Sequence, residues 1–572
     1  MTVHNSDIIA CFSELADLLE IEGANPFRVR AYRNATYSIA SLHEQIVDIL
    51  KKGEDLRDIP GIGEDLAKKI KEIVKTKTCL LLERTRNKIN RGLVQLLKIE
   101  GLGPKRVRLL HDILKISSLE DLVRAIQDGR LISVRGYGQR SVAKLASAVR
   151  RITQESTRFL RPHAEEIAEA LLRYLKSSKY IHQLALAGSY RRQKETVGDL
   201  DFVASSLHPR RVLNHFCCYE DIKEVLSRGT TRASIRLQSG IRVDFRVVAP
   251  KSYGAALYYF TGSKNHNIVL RRIAQKQGLK VNEYGIFRGV TQIAGRTEES
   301  IFRILGLDYI EPELREQRGE IEAATTHTLP HLVNIEDIKG DLHVHTDATD
   351  GENSLAEMAD KAGRLGYEYI AITDHSQRVS VAHGLSPQGV YRQLKKIEKL
   401  NSTMRGFTIL TGIEVDILED GSLDLPDTVL MELDIVVCSV HYHLNLPFEK
   451  QTDRFLRAID NPYCKILGHL TGRLLGRRAA CEFDVERVLQ KAAKKGCFVE
   501  INAQPERLDL PDNYYKLGKE LGIKFSIASD AHAVSDFRYI RYGIGQARRG
   551  WLESLDIINT RTLRDLKKLF RT

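Results

Sequence analysis

Three aspartates in the first half of the chain have the types and spacing that suit phosphoryl transfer. Asp199 and Asp201 lie two residues apart on a predicted strand, so both side chains leave the same face. Asp244 lies in IRVDFRVV, a predicted neighbouring strand. Three converging carboxylates could hold two Mg²⁺ ions, which would activate a 3′-hydroxyl and neutralise a triphosphate. A D-x-D pair alone is common on solvated edge strands, so the third aspartate carries much of this interpretation.

A glycine–serine turn stands shortly before the paired aspartates. Gly188 and Ser189 follow the predicted strand LALAGS, where backbone N–H groups can face a phosphate. Arg192 supplies a cation for the same charge. Together with the aspartates, the turn predicts a nucleotide pocket.

The predicted strands of the second half end in His, Asp or Glu. The segments are DLHVHTDATDG (341–351), ITDHS (372–376), GIEVDI (412–417), VHYH (440–443), GHL (468–470) and SDAH (529–532). Alternating strands and helices favour a parallel sheet or barrel, whose functional groups gather at the carboxyl ends of strands. Imidazole and carboxylate ligands suit Zn²⁺, Mn²⁺ or Fe²⁺. A single histidine is more often a core or surface residue, but the repetition favours a metal site.

Three Gly-x-Gly turns punctuate a helical region before residue 150. They are IPGIGEDLAKKI (59–70), IEGLGPKRVRLL (99–110) and VRGYGQRSVAKL (134–145). A glycine turn that leads into a basic helix can clamp a phosphate without reading sequence. One such turn is better read as an ordinary helix connection, whereas three together resemble helix-hairpin-helix motifs. The resemblance implies DNA contacts at Gly61, Gly63, Gly101, Gly103, Gly136 and Gly138.

The composition is typical of soluble globular protein, with 42% hydrophobic and 28% charged residues among 572. The net charge of +13 favours a polyanionic partner, although many basic proteins bind no nucleic acid. No apolar run is long enough to cross a membrane, and the first residues lack the pattern of a signal peptide. Eight cysteines without a CxxC pair fit a reducing, cytoplasmic setting.

The chain is too long for one core, and we predict a multidomain fold. We expect an all-α helix-hairpin-helix N-terminal region, an α/β nucleotidyltransferase palm with an α+β thumb, and a C-terminal distorted β/α barrel. The predicted boundaries are 1–80 (helical, lyase-like and DNA-binding), 81–155 (helix-hairpin-helix fingers), 156–250 (palm), 251–318 (thumb), 319–336 (linker) and 337–572 (barrel).

The motifs GSYRR, GDLD, RVDFR and YFTGS resemble those of family X DNA polymerases, the group that includes polymerase beta. The resemblance covers residues 1–318 and implies that the three aspartates are catalytic metal ligands. It implies triphosphate contacts at Gly188, Ser189, Arg192 and Gly198. It implies contacts to the sugar and base of the nucleotide at Tyr259, Phe260, Gly262, Asn267 and Arg271. Lys264 departs from the polymerase beta pattern, which has an acidic residue there; it could contact the nucleotide or be a solvated lysine.

Some family members also remove 5′-deoxyribose phosphate through a lysine Schiff base. Lys69 matches the nucleophile position, and a helical surface lysine is the alternative interpretation. Positions that are basic in active lyases match Phe27, Arg28 and Asp65, of which only Arg28 keeps its charge.

The histidine-rich half resembles the PHP family, polymerase and histidinol phosphatase, over residues 337–572. Its nine metal-ligand positions are all filled, which implies a trinuclear site for Mn²⁺ or Zn²⁺. The matching residues are His343, His345, Asp350, His375, Glu414, His441, His469, Asp530 and His532. Glu500, Asn502 and Arg507 in EINAQPERLDL are further candidates for positioning substrate.

The two modules in this order resemble bacterial and archaeal family X polymerases with a C-terminal PHP domain. That resemblance implies gap-filling DNA synthesis in base excision repair, with 3′–5′ exonuclease activity from the PHP domain. Cleavage of abasic sites and removal of 3′-phosphates are further candidate activities of that domain. Expected partners are gapped or nicked DNA and deoxynucleoside triphosphates, with no membrane contact and a monomeric state. The alternatives are a terminal or RNA-directed nucleotidyltransferase, a DNA-binding scaffold, and a DNA-tethered small-molecule phosphatase.

Overall fold

The computed structural model divides into two compact units, residues 1–156 and 157–572. The structure describes residues 5–571 except 41, 43, 44, 77, 98, 100, 135, 156 and 157. The predicted boundary after residue 155 stays a prediction, and residues 156 and 157 lie outside the described residues. The finer predicted divisions within each unit stay predictions.

Every regular element in the described part of the first unit is helical. The α-helices are Asn5–Glu22, Pro26–Ala40, Ile46–Lys51, Glu64–Thr76, Leu80–Lys88, Arg91–Leu96, Pro104–Leu114, Leu119–Gln127 and Gln139–Glu155. They pack around two apolar clusters, one containing Phe12 and Tyr32, the other Leu110 and Leu122. Amphipathic spacing explains the packing, because helix Leu119–Gln127 buries Leu122 and Ala125 on one side. The predicted all-α region is confirmed.

The second unit begins with a five-stranded mixed sheet. Its strands, in spatial order, are Gln183–Leu186, Asp199–Ser205, Arg242–Val248, Arg232–Leu237 and Ile222–Arg228. The helices Arg161–Lys176, Gly188–Arg191 and Pro209–Phe216 accompany it, with a short pair of strands Phe159–Leu160 and Thr196–Val197. The strands Asp199–Ser205 and Arg242–Val248 run parallel, and every other neighbouring pair in the sheet is antiparallel.

A smaller α+β region follows this sheet. It contains the helices Tyr253–Thr261, Lys264–Lys276 and Glu298–Ile304 and the antiparallel strands Lys280–Asn282, Gly285–Arg288 and Thr291–Ala294. The segment 319–336, predicted as a linker, holds the helix Glu320–Thr325, and its Leu332 and Val333 are buried. It is therefore packed against its surroundings at these residues, while residues 325–328 and 334–336 are exposed.

The C-terminal region is a seven-stranded parallel sheet that curls into a nearly closed barrel. The strands, adjacent in chain order, are Gly340–Val344, Tyr369–Ile372, Thr408–Asp416, Ile435–Ser439, Ile466–Leu467, Phe498–Asn502 and Phe525–Ala528. The helices are Leu355–Arg364, Pro387–Asn401, Asp427–Leu430, Phe448–Asp460, Val485–Lys495, Tyr515–Glu520, Ile540–Arg549 and Leu563–Arg571. A parallel bridge between Val344 and Ala531 links the first strand to the end of the last. The predicted distorted β/α barrel is confirmed.

The barrel strands form because their side chains are apolar on both faces. Six of the seven strands, including Ile435–Ser439 and Phe525–Ala528, are buried at every residue. Parallel strands covered on both sides have this composition. Their polar residues cluster where each strand gives way to a loop, so the carboxyl ends of the strands concentrate the charged groups.

Candidate functional site

The palm sheet brings the three predicted aspartates together. The parallel register places Asp201 directly beside Asp244, and Asp199 lies two residues earlier on the same face. Burial, followed by repulsion from the other two carboxylates, raises the pKa of Asp201 to about 7. Burial and Asp244 also raise the pKa of Asp199. Carboxylates crowded in this way favour a cation between them, which fits the oxygen ligands that Mg²⁺ prefers.

Two residues outside the predicted set support Asp244. The Ser234 hydroxyl donates a hydrogen bond to Asp244 Oδ1, and the Arg242 guanidinium donates to the same oxygen over 2.9 Å. Arg242 stands two residues before Asp244, so strand alternation could have identified it. Ser234 lies opposite Asp244 on the next strand, and only the register reveals it.

The predicted phosphate-binding turn lies against these carboxylates. Gly188 has φ of +60°, and a Cβ there would stand 2.1 Å from Asp201 Oδ2, so only glycine fits. The Ser189 hydroxyl is buried without a hydrogen-bond partner among the described residues. A Cβ at Gly198 would lie 3.3 Å from the Arg158 guanidinium.

Arg192 joins this turn to the thumb. Its Nε donates to Glu316 over 3.0 Å, and another guanidinium nitrogen donates to the Thr261 carbonyl. Thr261 precedes Gly262, whose φ of +72° keeps the chain close to Arg192. The phosphate side and the sugar side of the predicted pocket are thereby held together.

The remaining predicted nucleotide contacts lie on the two thumb helices. Asn267 Nδ2 donates to the Tyr259 carbonyl over 2.7 Å, and Arg271 Nε donates to the Asn267 carbonyl over 3.3 Å. Phe260 lines a cavity of about 390 Å³ together with Asp201 and Asp244. Lys264 is exposed at the start of its helix.

The C-terminal barrel gathers all nine predicted metal-ligand residues. Three groups have ligand atoms within 4.8 Å of one another: His345, Asp350, His375 and His532; His343, His345 and Asp530; His375, Glu414 and His441. His469 joins the third group, because its Nε2 lies 2.8 Å from Glu414 Oε1. The shared residues His345 and His375 connect the groups into one centre. Among the described residues, every group of three or more ligand atoms within 4.8 Å of one another lies in the barrel. The oxygen atoms of the three palm aspartates are therefore farther apart than this.

The chemistry of these donor atoms fits metal ions. Both nitrogens of His345 and both oxygens of Glu414 are buried without hydrogen bonds among the described residues. Burial and the neighbouring imidazoles lower the pKa of His345 to about 3, so it is neutral and can ligate. Burial alone would lower the pKa of His375, but Glu414 and Asp350 raise it to about 10. Glu414 and Asp350 thus favour a positive charge at this position, and a bound metal ion would supply that charge.

A second layer of polar side chains lies behind the predicted metal ligands. Glu500 Oε1 lies 2.6 Å from His343 Nδ1, and its Oε2 accepts a hydrogen bond from the His469 backbone N–H. Asn502 Nδ2 donates to Asp530 Oδ2 over 3.0 Å. Such partners fix the orientation of a ligating ring or carboxylate.

Asp416 belongs to the same layer and was missed in the sequence. Its Oδ1 lies 3.1 Å from His441 Nδ1. The signal was present, because Asp416 stands two residues after Glu414 on one strand and therefore shares its face.

The barrel centre opens into a pocket of about 290 Å³. Arg507 lies at its wall with Nε 3.8 Å from Asp530 Oδ2. Tyr442, Val379 and Val381 add apolar surface to the lining. A cation beside the predicted metal ligands, with apolar side chains in the same lining, suits a phosphate ester attached to a flat or apolar group.

The three Gly-x-Gly turns of the first unit share one geometry. The first glycines, Gly61, Gly101 and Gly136, have φ of +84°, +88° and +94°. Each turn leads into a helix, and an added Cβ at any of the second glycines, Gly63, Gly103 and Gly138, would meet nothing within 4 Å. The turns therefore present bare backbone at open surface.

Lys69 is more shielded than its neighbour in the same helix. Its side chain is 14% exposed, whereas Lys68 is 73% exposed. Lys69 forms an ion pair with Asp65, and Phe27 is 75% exposed.

Four domain profiles match the chain. The DNA polymerase beta thumb matches residues 256–316, and the PHP domain matches residues 341–504. A helix-hairpin-helix domain matches residues 3–79, and a SAM-like helix-hairpin-helix tandem matches residues 93–151.

Curated relatives match either the whole chain or its C-terminal part. The DNA polymerase/3′-5′ exonuclease PolX of Bacillus subtilis (strain 168) is 35% identical over 573 residues, which are 100% of both chains. A probable phosphatase of Thermoanaerobacter sp. (strain X514) is 33% identical over 207 residues, covering 34% of this chain and 80% of the relative. A probable phosphatase of Caldanaerobacter subterraneus subsp. tengcongensis is 31% identical over 208 residues, covering 34% of this chain and 77% of the relative.

Substituting the turn glycines tests whether the turns meet a phosphate backbone. Gly101→Ala should weaken binding to duplex DNA about 2- to 10-fold, the value of one lost backbone hydrogen bond. Gly129→Ala is the matched control, because Gly129 has φ of +71° and an equally open position outside the three turns. Both variants should lose about 1 kcal/mol of stability from backbone strain. Fluorescence anisotropy with labelled DNA measures affinity, and equal affinities for the two variants would contradict the assignment.

Proposed function

This chain belongs to the family of PolX-type DNA polymerase/3′-5′ exonucleases, family X polymerases with a PHP domain, and we propose that it fills short gaps in base excision repair. As a member it is an enzyme with a DNA polymerase unit and a metal-dependent exonuclease unit. The register that sets Asp201 beside Asp244, next to the Gly188 turn, carries the polymerase assignment.

In the polymerase unit, each named group has a separate task. Mg²⁺ ions held by Asp199, Asp201 and Asp244 would supply the charge for an in-line displacement. Ser189 and Arg192 would bind the triphosphate, and the Gly188 backbone would approach it closely. The groups on the sugar and base side would be Tyr259, Phe260, Gly262, Lys264, Asn267 and Arg271, with Gly198 on the phosphate side.

In the barrel, the nine-residue centre would hydrolyse phosphodiesters at 3′ ends. Mn²⁺ or Zn²⁺, when bound, would supply Lewis-acid chemistry at neutral pH. Arg507 would pair with the phosphate, while Tyr442 and Val381 would pack against the terminal nucleoside. The same pocket could accept an abasic site or a 3′-phosphate, because the phosphate ester is the common feature.

A phosphatase activity is the second candidate, and the match to probable phosphatases over the barrel favours it. A primer ending in 3′-phosphate distinguishes the two roles. Release of inorganic phosphate with an intact primer indicates a phosphatase, whereas successive loss of nucleotides indicates the exonuclease.

The three Gly-x-Gly turns would hold gapped or nicked DNA by its phosphates, leaving sequence unread. No helix in the described part of the chain is both long and apolar enough to span a membrane. We propose a monomer that works in the cytoplasm, where its eight cysteines would stay reduced.

The two activities should separate by mutation and by metal. Asp244→Ala should reduce incorporation into a one-nucleotide gap by about 10²-fold or more, because transition-state charge loses a stabilising partner.

His343→Ala should leave incorporation intact and remove 3′-to-5′ degradation in Mn²⁺, the softer ion that imidazole favours. A labelled primer, followed on gels with and without nucleotides, measures both. Near-parental extension by Asp244→Ala, or degradation by a folded His343→Ala protein, would contradict the assignment.

Lys69 gives a third, separable prediction for 5′-deoxyribose phosphate removal. Borohydride should trap a covalent adduct between the parent protein and abasic DNA, and Lys69→Ala should reduce its yield about tenfold or more because the nucleophile is absent. Lys68→Ala is the matched control, one residue away on the exposed side of the helix. Equal yields from both variants would show that another residue is the nucleophile. Absence of an adduct with the parent protein would contradict the proposed lyase activity.

A further inference from the structure

The palm loop that follows the phosphate-binding turn rests on the C-terminal domain. Arg549, on helix Ile540–Arg549, donates a hydrogen bond to the Arg192 carbonyl over 2.6 Å. Gln546 on the same helix donates to the Gln193 carbonyl over 3.0 Å. A Cβ at Gly545 would stand 2.9 Å from Gln193 Oε1, so helix and loop touch without a gap. The backbone of the polymerase loop is therefore held by a domain that carries a different active site.

The same arginine shares a carboxylate with the Arg192 side chain. Glu316 Oε1 lies 3.0 Å from Arg192 Nε, 2.9 Å from Arg549 and 3.5 Å from Lys194 Nζ. Arg549 Nε also donates to Asp512 over 2.6 Å, and the Arg549 side chain is 1% exposed. Burial alone would raise the pKa of Glu316, but the three cations lower it. Glu316 is thus ionised, and its negative charge is divided among several partners.

This division of charge matters for an anionic ligand. If Arg192 were the main partner of a buried Glu316, a triphosphate would have to compete with that carboxylate for the guanidinium. Because Arg549 also pairs with Glu316 Oε1, it neutralises part of that carboxylate, and more of the positive charge of Arg192 is available to a triphosphate. Arg549 also fixes the backbone of Arg192, which lowers the entropy lost when a long side chain binds phosphate.

A second contact ties the loop to the same domain. Arg473 donates to Glu195 over 2.6 Å and, through Nε, to the Arg507 carbonyl over 2.9 Å. Arg192, Lys194, Arg473 and Arg549 all line one polar cleft of about 560 Å³ between palm and barrel. The cleft is rich in cations at the end of the predicted site where the triphosphate would lie.

We infer that Arg549 of the C-terminal domain is a positioning residue for nucleotide binding in the palm, acting through Arg192 and Glu316. The inference rests on the proposed role of Arg192 in binding triphosphate. The PHP domain then has a task in polymerisation that is independent of its own hydrolytic centre.

Arg549→Lys in the full-length protein tests this directly. Lysine keeps the charge, but its single ammonium cannot stand both where Arg549 Nε meets Asp512 and where a terminal guanidinium nitrogen meets Glu316 and the Arg192 carbonyl. We expect KM for the incoming nucleotide to rise about tenfold while kcat stays within about twofold, the pattern of lost ground-state binding. Affinity for primer–template and degradation of 3′ ends in Mn²⁺ should match the parent.

Arg548→Lys is the matched control. Arg548 is the preceding residue on the helix and pairs with Glu313 over 2.8 Å and with Asn334, but it does not reach the palm loop. Its KM for nucleotide should equal that of the parent. An equal rise in KM for both variants would show a general effect of loosening the domain contact and would overturn the inference.

Gln546→Ala removes a contact to the same loop without leaving a buried charge. It should raise KM for nucleotide about 2- to 5-fold, as expected for one neutral hydrogen bond. Parental KM values in both Arg549→Lys and Gln546→Ala would overturn the inference while leaving the polymerase assignment standing. A parent protein that incorporates no nucleotide would instead overturn the proposed function on which the inference rests.

Discussion

Repulsion among buried acidic groups, and their need for a compensating cation, is the constraint on which both candidate centres depend. In the palm, Asp199, Asp201 and Asp244 share one face of a sheet, and burial together with repulsion from the other two carboxylates raises the pKa of Asp201 to about 7. In the barrel, Glu414 and Asp530 are buried among histidines. Such groups cost free energy unless protons or metal ions balance them. The rigid strands around them supply the stability that lets them stay together.

The site residues that the sequence predicted best are those that lie close together in the chain, at the two-residue spacing of one strand. The palm aspartates Asp199 and Asp201 alternate on one strand, so their shared face follows from strand geometry alone. His343 and His345 have the same two-residue spacing where strand Gly340–Val344 ends. The seven-stranded barrel followed from repeated strand-and-helix periods. Asp416 obeys the same rule beside Glu414 and could have been found.

The contacts that sequence could not predict join residues that tertiary packing alone brings together. Ser234 reaches Asp244 through the register of two strands. Arg549 reaches Glu316 and Arg192 across hundreds of residues, because helix Ile540–Arg549 docks under the palm. The spacing of residues within one helix or strand does not predict such docking, because docking depends on the complementary shapes of two folded surfaces. The segment 319–336 illustrates the same point, because a few buried residues, such as Leu332 and Val333, anchor it to the rest of the chain.

Metal binding by the purified protein tests the requirement for cations most directly. After chelation, titration with Mn²⁺ should load three ions in the barrel, one for each group of ligands, and raise the midpoint of thermal unfolding. Glu414→Gln, which keeps the shape but removes the charge at the centre of the groups, should bind fewer ions and gain less stability. A folded, chelated parent that binds no Mn²⁺ and unfolds at the same temperature with or without it would contradict the account.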